Sequence, residues 1–164
     1  MKKRLVLDSY ALIAYLEDEK GAGKVQEVLA DGEKGKLTLF MSIVNWAEVY
    51  YSMYRAKGEK IAQECLLVID QLPIKLVDIN RGSAFQAAKI KSLHSLALGD
   101  CFAAALAGEN GCPVLTGDKG FKKLEQKMEP HGQARGTNST PMRGEHPAPP
   151  PQADGAWIKV SWLA

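Results

Sequence analysis

Long apolar runs are missing from this sequence. Stretches such as Leu5 to Leu7 or Ile43 to Val44 fall far short of the roughly 20 residues a membrane span needs, so no span is expected. Met1-Lys2-Lys3-Arg4 is basic, but the short apolar run after it breaks at Asp8, which excludes a secretory h-region and leads to the expectation of a cytoplasmic protein. Cysteine is scarce as well. Cys65, Cys101 and Cys112 are odd in number and far apart, with no CxxC spacing, so they read as reduced, partly buried small hydrophobes. There is little excess charge either: 21 Lys and Arg against 19 Asp and Glu give a net +2, which excludes holding a polyanion through bulk charge and leaves a local basic patch or a metal ion as the alternatives.

What is present suits one globular domain with a real core: 164 residues, 46% of them hydrophobic. Leu5-Val6-Leu7 reads as a buried strand closed by the capping pair Asp8-Ser9, with a helix from Tyr10 to Glu17. Residues 21–30 read as a helix and 37–41 as a strand. From Ser42 to Lys57 the apolar positions Ile43, Val44, Ala47, Tyr51 and Tyr54 recur at helical spacing, with Ser42 as cap. A helix over 59–72, a strand over 74–79, helices over 83–93 and 100–107, a strand at Val114 to Thr116 and a helix from Asp118 to about Met128 follow. This alternation predicts an α/β fold with a mostly parallel sheet covered on both faces, and ligand chemistry at the carboxyl ends of its strands.

Residues 130–156 differ sharply from the rest. They hold six of the eight prolines, four glycines and only Met142 as a large apolar residue, and so read as a disordered or loosely attached insertion. His131 and His146 within it read as solvated. Residues 157–164 alternate apolar with polar in the manner of an edge strand. The expected organisation is therefore a domain over 1–129, the insertion, and a final strand of the same domain.

Four acids are candidates for chemistry. Asp8 ends the first strand, Asp118 follows the strand ending at Thr116, and Asp100 opens a helix. Each also reads singly as a helix cap or first-turn acid. Glu48 lies four residues after Val44 and three before Tyr51, on the face expected to enter the core, where a carboxylate needs a cation, a partner or a proton. Chain reversals could gather the four at one sheet edge, and gathered like charges need a counter-ion. An oxygen donor set of this kind suits Mg²⁺ or Mn²⁺, and the lack of a His/Cys cluster argues against zinc. Such an ion can activate water and neutralise charge on a phosphoryl group, so the reaction class suggested is phosphodiester hydrolysis.

Val6-Leu7-Asp8-Ser9, Asn45-Trp46-Ala47-Glu48-Val49, the run Leu98 to Ala107 and the run Val114 to Phe121 resemble, in order and spacing, the four signature blocks of PIN-domain proteins. Among these the chain is most similar to the VapC-type toxins of prokaryotic type II toxin–antitoxin pairs, over residues 4 to about 128 plus the final strand. The resemblance implies a three-layer α/β/α domain, a metal-dependent ribonuclease acting on RNA, and a homodimer neutralised by a VapB-type antitoxin. It also implies that Asp8, Glu48, Asp100 and Asp118 bind the metal and that Thr116 places its hydroxyl near it. The insertion departs from the family pattern.

Several further residues have two readings. Ser9 either contacts a phosphate or caps a helix. His94 either approaches the site or sits at a helix C-terminus. Lys119, Lys122, Lys123 and Lys127 either steer an RNA backbone or form a solvated face, and Tyr50, Tyr51 and Tyr54 either stack bases or pack. The competing functional expectations are a PIN-like RNA- or protein-binding regulator without cleavage activity and a nuclease of the same fold acting on DNA.

Overall fold

A computed structural model describes residues 2–125 and 160–163. The expected insertion at 130–156, with His131 and His146, lies outside these residues, as do Lys127 and the expected helix end near Met128.

The strands are β1 (Lys3–Leu7), β2 (Leu37–Ser42), β3 (Ile74–Val77), β4 (Val114–Thr116) and β5 (Val160–Trp162). Between β1 and β2 lie α1 (Ser9–Leu16) and α2 (Ala22–Glu33), and between β2 and β3 lie α3 (Ile43–Lys57) and α4 (Glu59–Asp70). The β3 to β4 connection carries α5 (Arg81–Leu93) and α6 (Leu98–Asn110). After β4 come a 3-10 turn (Lys119–Phe121) and α7 (Lys122–Glu125, the last described residue of this stretch), so the segment expected to be helical from Asp118 opens as a 3-10 turn.

All five strands are parallel, in the order β3-β2-β1-β4-β5. The chain runs outward from β1 to β2 to β3, then reverses and continues on the other side of β1. Right-handed crossovers in opposite directions place their helices on opposite faces, and that is the arrangement observed. Leu5, Leu7, Leu39, Met41 and Leu115 pack with α1 to α4 on one face. Val6 and Val114, flanked by Phe40, pack with α5, α6 and Phe121 on the other. The two-residue period of β1 thus serves both cores, and the layers are α/β/α. The last strand takes the sheet edge expected of it, where Lys122 Nζ lies 5.9 Å from the centre of the Trp162 ring.

On α3 the buried stripe is Asn45, Val49 and Met53. The expectation that Glu48 enters the core is therefore corrected. Val44 is only half-buried and Tyr51 is 48% exposed, so the face they share with Glu48 looks into a cleft at the end of the sheet. Helix α6 starts at Leu98, two residues earlier than expected, which puts Asp100 inside its first turn.

Candidate active site

The strand order reverses between β1 and β4, and the crevice beyond their carboxyl ends is where this kind of sheet presents its chemistry. Asp8 follows β1 directly and is completely buried. Its Oδ1 accepts a hydrogen bond from the Ala11 amide at 2.8 Å and so caps α1, while Oδ2 is buried without a well-formed hydrogen-bond partner among the described residues. Burial raises the Asp8 pKa from 3.8 to about 7, against the opposing influence of the Thr116 hydroxyl and the Ala11 amide. The charges of Asp100 and Asp118 push it further in the same direction.

Asp100 is buried in the first turn of α6. Burial, then the charges of Asp118 and Glu48, raise its pKa from 3.8 to about 6, opposed by the Ala97 backbone and by Lys91. Asp118 is half-buried and caps the 3-10 turn by accepting from the Gly120 amide at 2.7 Å. Its own amide donates to Thr116 Oγ1 at 2.9 Å, and Thr116 is completely buried. Asp118 and Asp100 both border Gly120: a Cβ built there would lie 3.1 Å from Asp118 Oδ1 and 3.8 Å from Asp100 Oδ2.

Glu48 reaches this group from α3. Its Oε2 accepts from the Ser9 hydroxyl at 2.6 Å and from Asn45 Nδ2 at 3.4 Å, and Oε1 accepts from the Tyr51 hydroxyl at 3.1 Å. Asn45 Nδ2 also donates to the Gly99 carbonyl at 3.2 Å, drawing α3 against α6 across the end of the sheet. Gly99 is needed at this crossing, because a Cβ there would collide with the Glu48 carboxylate. Beside it opens a cavity of about 320 Å³ between α3 and the start of α6, walled by Val44, Ala47, Tyr51, Ala97 and Leu98.

The four sequence candidates and Thr116 are thus brought to one crevice, linked by mutual charge effects. Three acids combine both of their readings, since Asp8 and Asp118 are helix caps, Asp100 is a first-turn acid, and all three are members of the cluster. Ser9 is neither the cap nor a free hydroxyl, because Asp8 caps α1 and Ser9 is bonded to Glu48. His94 is the half-buried C-cap of α5. Tyr50 packs against the core and pairs with Tyr54 at 6.0 Å between ring centres. Two residues that sequence reasoning gave no role belong here. Asn45 is held by contacts 54 residues distant, and Lys91, whose Nζ donates to the Leu96 carbonyl, supplies positive charge near Asp100.

The donors are all oxygens, they repel one another, and one buried carboxylate oxygen lacks a well-formed hydrogen bond among the described residues; this chemistry fits a hard divalent cation. In the orientations the side chains hold, no three His, Cys, Asp or Glu residues among those described are close enough to ligate one ion.

The PIN domain family model matches residues 5–127. The chain belongs to the PIN domain family. The match takes in all four acids of this PIN domain. Compared by sequence with curated proteins, the chain finds no match. Among solved structures it is similar to DNA-bound VapBC from Salmonella typhimurium, with a TM-score of 0.63, 12% identity and 100% of each chain covered. It is similar to VapC20 of Mycobacterium tuberculosis, described as a Sarcin-Ricin loop cleaving toxin, with a TM-score of 0.60 and 13% identity over 72% of this chain and 92% of that one. VapBC2 from Rickettsia felis, bound to a DNA fragment from their promoter, aligns with a TM-score of 0.58 and 16% identity over 73% and 91%. At these identities the likeness is one of fold.

Proposed function

We propose that this PIN domain is a VapC-type toxin: an endoribonuclease that hydrolyses RNA phosphodiester bonds with a divalent metal ion and is neutralised by a VapB-type antitoxin. The observation that carries the reading is the gathering of Asp8, Glu48, Asp100 and Asp118, from four separate segments, at the reversal point of the sheet. Family membership supports it, as do the toxin–antitoxin descriptions of the structures it resembles.

Asp8, Asp100 and Asp118 would hold Mg²⁺ or Mn²⁺, with Glu48 completing the set. When bound, such an ion neutralises charge developing on the phosphoryl group and favours the ionised form of an attacking water. The residues of this chain supply the rest. Burial keeps bulk water away from Asp8 and Asp100, which strengthens any charge interaction made there. The Thr116 hydroxyl, whose oxygen accepts from the Asp118 amide, is left with its proton to donate toward Asp8. Lys91 and Lys119 flank the acids on exposed surface and would attract the phosphate backbone, which a near-neutral chain cannot do through its total charge.

The deciding experiment is cleavage of a structured RNA mixture by purified protein in Mg²⁺, Mn²⁺ or EDTA, beside the Asp8→Asn variant. Metal-dependent cutting that the variant lacks is the expected result. Equal inactivity of both would favour the second reading, a PIN-like RNA- or protein-binding regulator without cleavage. The spread of the acids beyond common ligating range favours that reading. The antitoxin partner and a homodimeric state belong to the same proposal and are checked by chromatography of the chain alone and with the product of a neighbouring gene.

A further inference from the structure

Glu48 is held differently from the other three acids. Ser9 from α1 and Asn45 and Tyr51 from α3, all neutral donors, converge on its two oxygens, and the Gly99 backbone closes a further side. Asp8, by contrast, has a well-formed hydrogen bond among the described residues on Oδ1 alone, from the Ala11 amide.

Asn45 is the unusual member. It is completely buried on the stripe of α3 that otherwise carries Val49 and Met53. Its Nδ2 faces the Gly99 carbonyl and Glu48 Oε2, which can only accept, so the amide has one possible orientation and its Oδ1 points away with no partner among the described residues. Asparagine is a mediocre helix former, and a buried orphan oxygen costs stability. An apolar side chain would suit this position better if packing were its whole role.

We propose that Asn45, assisted by Ser9 and Tyr51, is a positioning residue that fixes the Glu48 carboxylate beside Asp100 before a divalent cation arrives. The inference rests on the metal-dependent reading above. A free glutamate side chain loses rotamer freedom when it is recruited to an ion, and a carboxylate already clamped has little left to lose. Because Asn45 also grips the Gly99 carbonyl, it sets the distance between Glu48 on α3 and Asp100 on α6 as well.

The test is a double-mutant cycle on the full chain, read as Mn²⁺ affinity by paramagnetic resonance with the melting temperature recorded alongside. Asn45→Leu should keep or raise the melting temperature while weakening Mn²⁺ binding about tenfold, the scale typical of groups that orient metal ligands. Ser9→Ala and Tyr51→Phe, which each remove one hydroxyl, should weaken it several-fold, and they carry the test if Asn45→Leu does not fold. In a Glu48→Ala background none of the three should weaken binding further. Equal weakening with and without Glu48, or unchanged affinity in all three single variants, overturns the proposal. If the unaltered chain binds no Mn²⁺, the metal reading falls, and the clamp is judged by proton exchange of the Asn45 side-chain amide. Slow exchange that becomes fast in Glu48→Ala supports it, and the same exchange in both overturns it.

Discussion

The Ser9 hydroxyl donates to Glu48 Oε2 at 2.6 Å, joining the residue that follows the first acid of the site to the second acid, 39 positions away. Asp8 and Glu48 are thereby placed by one connected piece of structure.

Asp8→Asn should abolish function and strengthen the fold. Asparagine can still cap α1 through the Ala11 amide, and the substitution removes a buried carboxylate whose burial is unfavourable. RNA cleavage should fall by roughly two orders of magnitude or more, while the metal-free variant gains about 1–3 kcal/mol at pH 8. Denaturant melts in EDTA beside cleavage assays measure both; a destabilised variant would show that the carboxylate is not under strain.

The metal-free protein should lose stability as pH rises. The folded-state pKa values of Asp8 and Asp100, about 7 and about 6, lie above the ordinary 3.8, so the native state holds more protons than the unfolded state between these limits. Their contribution is complete below pH about 4 and is lost as pH climbs through 6 and 7, an effect on the order of a few kcal/mol. Melting temperatures in EDTA between pH 4.5 and 8.5 should trace this decline, and it should be shallower in Asp8→Asn.

Divalent ions should reverse that loss. At pH 8, millimolar Mn²⁺ or Mg²⁺ is expected to raise the melting temperature of the unaltered chain, by an amount equivalent to about 2.7 kcal/mol when the ion is at a hundred times its dissociation constant. Asp100→Asn should show little of the increase. A rise of the same size in both proteins would place the ion elsewhere.

Gly99→Ala should impair the site while sparing most of the fold. Its methyl group would occupy the place of the Glu48 carboxylate, which must swing away and leave Ser9 without its acceptor and Asn45 with the Gly99 carbonyl alone. A cost of about 1–3 kcal/mol is expected from overpacking, with cleavage falling further than stability explains. Wild-type turnover in this variant would show that Glu48 has no fixed place in the mechanism.

The order of elements was legible because each is bounded locally: Asp8 and Ser42 cap helices, and Gly111 and Pro113 end α6 before β4. The four acids stand out as candidates because each sits in its own block of sequence. The surroundings of Glu48 were not legible. Ser9 and Gly99 meet it across long sequence separations, and no local pattern encodes such a meeting. The periodic apolar residues of α3 also pointed to the wrong face. Val44 and Tyr51 border the cleft, whereas a polar residue, Asn45, takes a core position that hydrophobic spacing could not assign.

The reversal of strand order divides the site between two lengths of chain. Residues 3–77, which form β1 to β3, bring Asp8 and Glu48; Asp100 and Asp118 come with α6 and the turn after β4. Neither length holds more than two of the four charges. The charges of Asp100 and Asp118 meet those of Asp8 and Glu48 only when the second length packs against the first, and a chain cut short before β4 would carry Asp8, Glu48 and Asp100 without Asp118. For a protein proposed to destroy RNA, that places competence at the end of assembly, after the whole sheet has closed around its middle strand.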